Sequence, residues 1–335
     1  MARLRIGLVY DLLGSFPVRP GDPVDVDVEY EPEATVALLE AAVHRLGHEP
    51  VRLGGPADLL ASLGKGQLPA LDCALNIAEG TRGRDREAWA PVLLQLAGIP
   101  ALGSDALTLS ATLDKAWATR LVAAAEVPVP FQTVLRSAAA AKNGDLSGRF
   151  PLFVKPRWEG TAKGIRSSSK VEDGAALVRE VARIVRDYEQ PALVEAFLPG
   201  AEYTVTVVGN APPRALPVLQ RALDVETGIG IHAIERGLPA ERVAAAITPG
   251  ELSAELEAEL SELALRAYAA LECLDFARTD FKLDASGRAL FLEMNPLPTF
   301  APDASFGILA ALEGRSAHSL VADVLAGGLE RLGLA

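Results

Sequence analysis

Short apolar runs alternate with amphipathic stretches along the first third of the chain. Residues 4–10 (Leu-Arg-Ile-Gly-Leu-Val-Tyr) read as a buried parallel strand, whose two faces both meet packed helices and so need not alternate. Residues 33–46 carry apolar side chains at helical spacing and stop at Gly47. Strands follow at 51–53 and 71–77, then a helix over 86–96 and a strand entry at Gly98-Ile99-Pro100-Ala101. A loop rich in Pro, Gly and Asp occupies 14–30. This β-α-β-α order predicts an open α/β domain up to about residue 105. No G-x-G-x-x-G follows the first strand, so a dinucleotide fingerprint is absent.

The pattern then changes. Residues 110–125 read as one helix carrying Asp114-Lys115, ended by Val127-Pro128-Val129-Pro130. Phe150-Pro151-Leu152-Phe153-Val154-Lys155-Pro156 is a strand ending in Lys, followed by the polar loop Arg157-Trp158-Glu159-Gly160-Thr161-Ala162-Lys163-Gly164. An amphipathic helix covers 171–188, and Pro199-Gly200 separates strands at 192–197 and 202–208. Residues 210–250 look irregular, 251–271 form a long helix, and a last helix covers 319–332. The run Ala138 to Ala141 is too short to define an element.

Between that long helix and the last one lies the most informative segment. Ala277-Arg278-Thr279-Asp280-Phe281 and Leu290-Phe291-Leu292-Glu293-Met294-Asn295-Pro296 flank the turn composition Asp284-Ala285-Ser286-Gly287, a hairpin signature. Strand alternation puts Arg278 and Asp280 on one face, and Glu293 and Asn295 on one face. An even loop count would set Arg278 across from Glu293. One cation and three oxygen-bearing side chains then converge, an address for a hard metal ion and an anion, or else a solvated polar face with an ion pair. Lys155 with its glycine loop could close over a polyphosphate, or be a surface loop. Glu195 and Glu202 could accept from an adenine amino group or ribose hydroxyls, or be ordinary strand-end residues. Lys115 is by itself a helix-surface lysine.

Composition narrows the partners. The 335 residues are 50% hydrophobic with net charge −12, so two or three well-cored domains are expected, without non-specific nucleic-acid or anionic-membrane binding. An anionic ligand must then be held by a few placed cations. Arg outnumbers Lys 25 to 7, so each Lys at a special position carries information. Cys73 and Cys273 lack metal-ligand spacing, as do the four His (44, 48, 232, 318), and the thiols suit a reducing cytoplasm. With no signal-peptide pattern, and no apolar run of the ~18 residues a spanning helix needs, a soluble cytoplasmic protein is expected.

The order of these pieces resembles the ATP-grasp superfamily, and within it the D-alanine–D-alanine ligase-like family. The likeness runs from 98–105 (Gly-Ile-Pro-Ala-Leu-Gly-Ser-Asp) through Asp114-Lys115, 127–130, 150–164 and 193–207 to 278–298. It implies an N-terminal open α/β domain (1–105), a central ATP-grasp subdomain (106–190) and a C-terminal subdomain with the metal site (191–335). It implies that Lys115 and Lys155 hold ATP phosphates and that Glu159, Gly160 and Thr161 form the loop over them. Glu195 with Ala196 to Leu198 would be the adenine hinge, and Glu202 the ribose carboxylate. Asp280, Glu293 and Asn295 would bind Mg²⁺ (or Mn²⁺), and Arg278 would stabilise the developing oxyanion and acyl-phosphate.

The reaction so implied is ATP-dependent joining of a carboxylate to an amine through an acyl-phosphate, giving ADP and phosphate. Phosphorylation without amide formation, or nucleotide binding without turnover, are the alternatives. A homodimer acting on amino-acid-like substrates is a further implication. The chain departs from the family on the substrate side. The His-Glu-x-Ser motif after the first strand is absent and the loop has no Lys-Tyr pair. Asp11, Glu79, His232, Glu235, Arg236, Thr299 and Ser305 are the polar candidates left for substrate contacts.

Overall fold

The computed structural model describes residues 2–144, 146–231 and 252–335, together with the backbone of 247–249. Its first sheet is parallel, in the order β2 (Glu49–Gly54), β1 (Arg5–Val9), β3 (Cys73–Asn76), β4 (Ala101–Leu102). Ile6 and Leu8 of β1 point to one face, where they meet Val36, Leu39 and Val43 of helix α1 (Glu33–Arg45). Val9 points to the other, toward Leu59 of α2 (Pro56–Gly64) and Leu94 of α3 (Trp89–Leu96). The expected α/β unit is there, with α2 in addition.

Residues 110–125 are not one helix. α4 (Ala106–Leu113) and α5 (Lys115–Ala124) break at Asp114, whose ψ of 88° leaves the helical region and whose carboxylate caps α5 through the Trp117 N–H. An N-cap of this kind satisfies donors that a new helix would otherwise leave unpaired, so the restart costs little.

The middle sheet is antiparallel, in the order β5 (Gln132–Leu135), β8 (Ala192–Ala196), β6 (Leu152–Pro156), β7 (Lys170–Val171). It is packed by α6 (Ala138–Asn143) and α7 (Gly174–Tyr188). Because β5 and β6 take both backbone edges of β8, that strand belongs to the middle sheet. The expected boundary at 190/191 thus falls one strand early.

The third sheet runs β12 (Ile247–Pro249), β11 (Leu219–Arg221), β9 (Glu202–Val208), β13 (Phe276–Leu283), β14 (Ala289–Asn295), with β10 (Arg214–Ala215) also on β9. Helix α8 (Ala254–Ala270) covers it, so the stretch expected to be irregular supplies three short strands. The hairpin register differs from expectation. Asp284 and Arg288 close an odd, three-residue loop with Gly287 at φ +85°, and an extra residue, Leu292, bulges further along. Asp280 therefore pairs with Glu293, and Arg278 with Asn295.

The chain ends return to the first domain. Phe306 and Leu309 of α9 (Ser305–Leu312) and Leu320, Val324 and Leu325 of α10 (Ala317–Arg331) pack into the same core as α1. Asp275 fastens this junction. Its carboxylate accepts from the Gly103 N–H (2.7 Å), the Asn210 amide (2.9 Å) and Arg331 Nε and guanidinium N–H (2.7 Å each).

Candidate active site

The middle and third sheets face each other across a cavity of about 330 Å³. Lys115, Lys155, Glu159, Thr161, Glu195, Ala196, Leu198, Glu202, Arg278, Asp280, Glu293, Thr299 and Ser305 all line it. Residues separated by up to 190 positions in sequence thus meet at one cavity.

Lys155 lies at the end of β6 with its ammonium 2.7 Å from Glu195 Oε1 of the adjacent β8. Burial works against its charge, but the Glu195 and Glu293 carboxylates outweigh it and hold the ammonium above its usual range. Lys115 opens α5, where its Nζ donates to the Glu159 carbonyl and lies 3.2 Å from Glu293 Oε2. Asp114 holds the start of α5 to the loop that carries Glu159. Fully buried, it accepts two 2.7 Å bonds from Arg157 and one of 3.2 Å from the Trp158 indole, tying the loop's first residues to the helix start.

Across the cavity, Asp280 receives Arg278 Nε (3.2 Å), an Arg221 guanidinium N–H (3.3 Å) and the Thr204 hydroxyl (2.5 Å). Burial pushes its carboxyl up, and the two guanidiniums with Thr204 reverse that, bringing it to about 2. Glu293 is likewise held down against its burial, chiefly by Lys115. Asn295 faces Arg278 but does not line the cavity; its Oδ1 accepts from the Leu297 N–H at 2.9 Å. At the end of β8 the Ala196 N–H already donates to the Phe131 carbonyl (3.0 Å), so Ala196 meets the cavity with other atoms.

The phosphate-loop candidate is strapped down from the N-terminal domain. Glu29 accepts from the Gly160 N–H and from Lys163 Nζ (3.1 Å), and pairs with Arg86 (2.8 Å). Asp25 accepts from the Gly164 N–H (2.9 Å) and the Tyr188 hydroxyl (2.9 Å). A Cβ at Gly160 would lie 3.2 Å from Glu29 Oε1, so a larger residue there would make the carboxylate give by a few tenths of an ångström.

On the substrate side the structure separates the candidates. Asp11 and Glu79 do not line the cavity. Asp11 accepts from the Gly80 N–H (2.9 Å), bracing the end of β3 against β1. Glu79 sits beside Glu87, and burial with that neighbour pushes its carboxyl well above the usual range. His232, Glu235 and Arg236 lie outside the described residues. Thr299 does reach the cavity, and its hydroxyl donates to Glu31 Oε2 at 2.9 Å, where Thr35 also donates at 2.8 Å. Ser305 Oγ is buried with no hydrogen-bond partner among the described residues.

Four functional candidates escaped the sequence reading. Lys282, 3.6 Å from Glu202 and donating to the Gly228 carbonyl, shares the face of Arg278 and Asp280, so the same alternation marks it. Arg221, Glu29 and Glu31 carry no such local signal.

Residues 121–326 match the family model described as D-ala D-ala ligase C-terminus. The chain is 31% identical over 318 residues to the uncharacterized protein y4sG of Sinorhizobium fredii, covering 92% of this chain and 91% of that protein. It is 31% identical over 265 residues to a D-alanine–D-alanine ligase of Ectopseudomonas mendocina, covering 78% and 80%. Among solved structures, a D-alanine–D-alanine ligase from Bacillus anthracis complexed with ATP superimposes with a TM-score of 0.70 at 20% identity, over 98% of both chains.

Proposed function

The chain belongs to the D-alanine–D-alanine ligase family of ATP-dependent carbon–nitrogen ligases, and on that premise we propose which of its groups carry the reaction and what it joins. The observation that supports the reading best is the convergence of Lys115, Lys155, Arg278, Asp280 and Glu293 on one cavity.

The donor set suits Mg²⁺, or Mn²⁺ in its place. Asp280 and Glu293 are direct cross-strand partners with Asn295 two residues on, and Mg²⁺ sites combine one or two carboxylates with substrate phosphates and water. Such an ion neutralises phosphate charge. Lys115 and Lys155 hold phosphate oxygens from the α5 and β6 sides, and the loop 159–161 covers them. Glu195 and Glu202 take the nucleoside end.

A substrate carboxylate oxygen attacks the terminal phosphorus of ATP; that P–O bond forms as the bond to ADP breaks. The amine of a second substrate then attacks the acyl carbon. The C–N bond forms, the C–O bond to phosphate breaks, and the amine gives up a proton. Arg278 offsets the oxyanion that develops at that carbon. Positioning and electrostatics carry this chemistry, and no protein nucleophile takes part.

For the first substrate's ammonium we assign Glu31, which, like Asp11, does not itself line the cavity but is bonded to Thr299, which does. The Glu31 carboxylate is steered by Thr35 and Thr299. Ser305, with its free hydroxyl, suits a substrate carboxylate. The test is ADP and phosphate release with Mg-ATP against D- and L-amino acids, singly and in pairs. Turnover that needs both a carboxylate and an amine is expected. Phosphorylated product without amide, or tight ATP binding with no turnover, would overturn the ligase reading. Glu31→Gln should raise KM for the carboxylate substrate about tenfold with KM for ATP unchanged, the effect of losing one charge-assisted contact. An unchanged amino-acid KM would remove Glu31 from this role.

No helix among the described residues is long and apolar enough to cross a membrane. The buried free thiols Cys73 and Cys273 support a cytoplasmic location. We also infer a homodimer. Leu96 of α3 (79% exposed), Leu107 of α4 (74%) and Trp117 of α5 (46%) leave apolar side chains in water on three helices, of which α4 touches both α3 and α5. Light scattering should give twice the chain mass, and half that for Leu96→Glu with Leu107→Glu; a wild-type monomer would refute it.

A further inference from the structure

We propose that Arg221 is a second arginine of the phosphate end, contacting the terminal phosphate of the bound nucleotide. This rests on the reading that the cavity takes a magnesium nucleotide.

Five cavity cations fall into two classes by the carboxylates they pair with. Lys155 is on Glu195 (2.7 Å) and Lys282 on Glu202 (3.6 Å), both carboxylates of the nucleoside end. Lys115 is on Glu293 (3.2 Å), while Arg278 (3.2 Å) and Arg221 (3.3 Å) are on Asp280, the two carboxylates that suit the metal. Arg221 also lies 3.5 Å from Glu202, its cross-strand neighbour on β9.

The two classes behave differently when the nucleotide enters. A metal ion on Asp280 and Glu293 takes carboxylate oxygens that now face the second class of cations. Arg221 (7% exposed) keeps Glu202 3.5 Å from Nε, but the terminal N–H that faces Asp280 is drawn to another acceptor, because a buried donor left unpaired is costly. The phosphate oxygens arriving with the metal are the anions at hand. Lys115 is in this class as a phosphate ligand and Arg278 as the group for the oxyanion, and Arg221 reaches Asp280 from β11, a strand that neither of them occupies. Its planar fork can offer two parallel N–H donors to a phosphate.

The rival account makes Arg221 a purely structural tie between Asp280 and Glu202. Calorimetric affinities separate the two, with Mg²⁺ present throughout, for ADP and for a non-hydrolysable triphosphate analogue of ATP. With Arg221→Gln the analogue should bind about tenfold more weakly while ADP shifts by less than about twofold, the loss of one charge-assisted contact at the terminal phosphate. Arg221→Lys, which keeps the charge but not the fork, should lose less for the analogue, about threefold. It also carries the test should Arg221→Gln fail to fold. Equal weakening of both nucleotides, or no change in either, would overturn the assignment. Wild-type protein that binds neither nucleotide would instead refute the ATP reading beneath it.

Discussion

Arg278→Ala is expected to lower turnover at saturating substrates by at least about a hundredfold, the scale seen when one donor to a developing oxyanion is removed. Arg278 is 9% exposed and sits in the cavity wall opposite Asn295, with Nε and a terminal N–H 3.2 and 3.3 Å from Asp280. Truncation leaves Asp280 with Arg221 and Thr204, so that carboxylate stays ionised and in place. Lys115 and Lys155 are untouched, and nucleotide affinity should change by less than about threefold, since they keep their charge-assisted contacts. Initial rates of ADP release beside calorimetric ATP affinity test both halves. Turnover within about fivefold of wild type would remove Arg278 from the chemistry, while a matching loss of nucleotide affinity would make it a binding residue.

Asp275→Ala should destabilise the fold by roughly 3 kcal/mol. Asp275 is 1% exposed and is the common acceptor for Gly103 of the first domain, Asn210 after β9, and Arg331 of α10. Removing it leaves the Gly103 N–H without this acceptor and the Arg331 guanidinium with the Ala101 carbonyl at 3.0 Å. The Arg331 side chain is 22% exposed, so water offsets part of that loss, which keeps the figure at the low end for a broken buried pair. The backbone adds to it, since φ at 275 is +63°, a region that Asp and Asn tolerate better than Ala. Asp275→Asn keeps that tolerance and should cost less, about 1–2 kcal/mol, as a neutral acceptor replaces a charged one. Urea denaturation midpoints measure both. A loss below about 1 kcal/mol for the alanine variant would show that the junction holds without this clasp.

The ligand-facing half of the site was legible because strands encode direction. Alternation alone puts Arg278 and Asp280 on one face, and Lys282 continues the series. Register was not legible. The odd turn and the bulge at Leu292 depend on how β14 fits β13, and together they decide that Asp280 rather than Arg278 meets Glu293. Sheet membership also escaped, since the apolar run of β8 marks a strand without saying which neighbours take its edges. Arg221 was hidden in a three-residue strand within a Gly- and Pro-rich stretch, too short for any period to stand out. Glu31 and Glu29 act across 268 and 131 positions of sequence, on Thr299 and Gly160, from a loop whose composition says only that it is a loop. Asp114 misled the helix reading because it both continues the amphipathic pattern and caps a new helix.

The strap from Asp25 and Glu29 to Gly160, Lys163 and Gly164 has a consequence for protein engineering. A chimera that takes residues 106–335 from a relative and keeps this N-terminal domain would bring a glycine loop to carboxylates shaped for another one. Glu29, with Arg86 still beside it, would then lack the Gly160 and Lys163 donors, and Asp25 the Gly164 N–H. Segments 25–31 and 157–164 therefore form a single unit of exchange, and productive crossovers must carry both or neither.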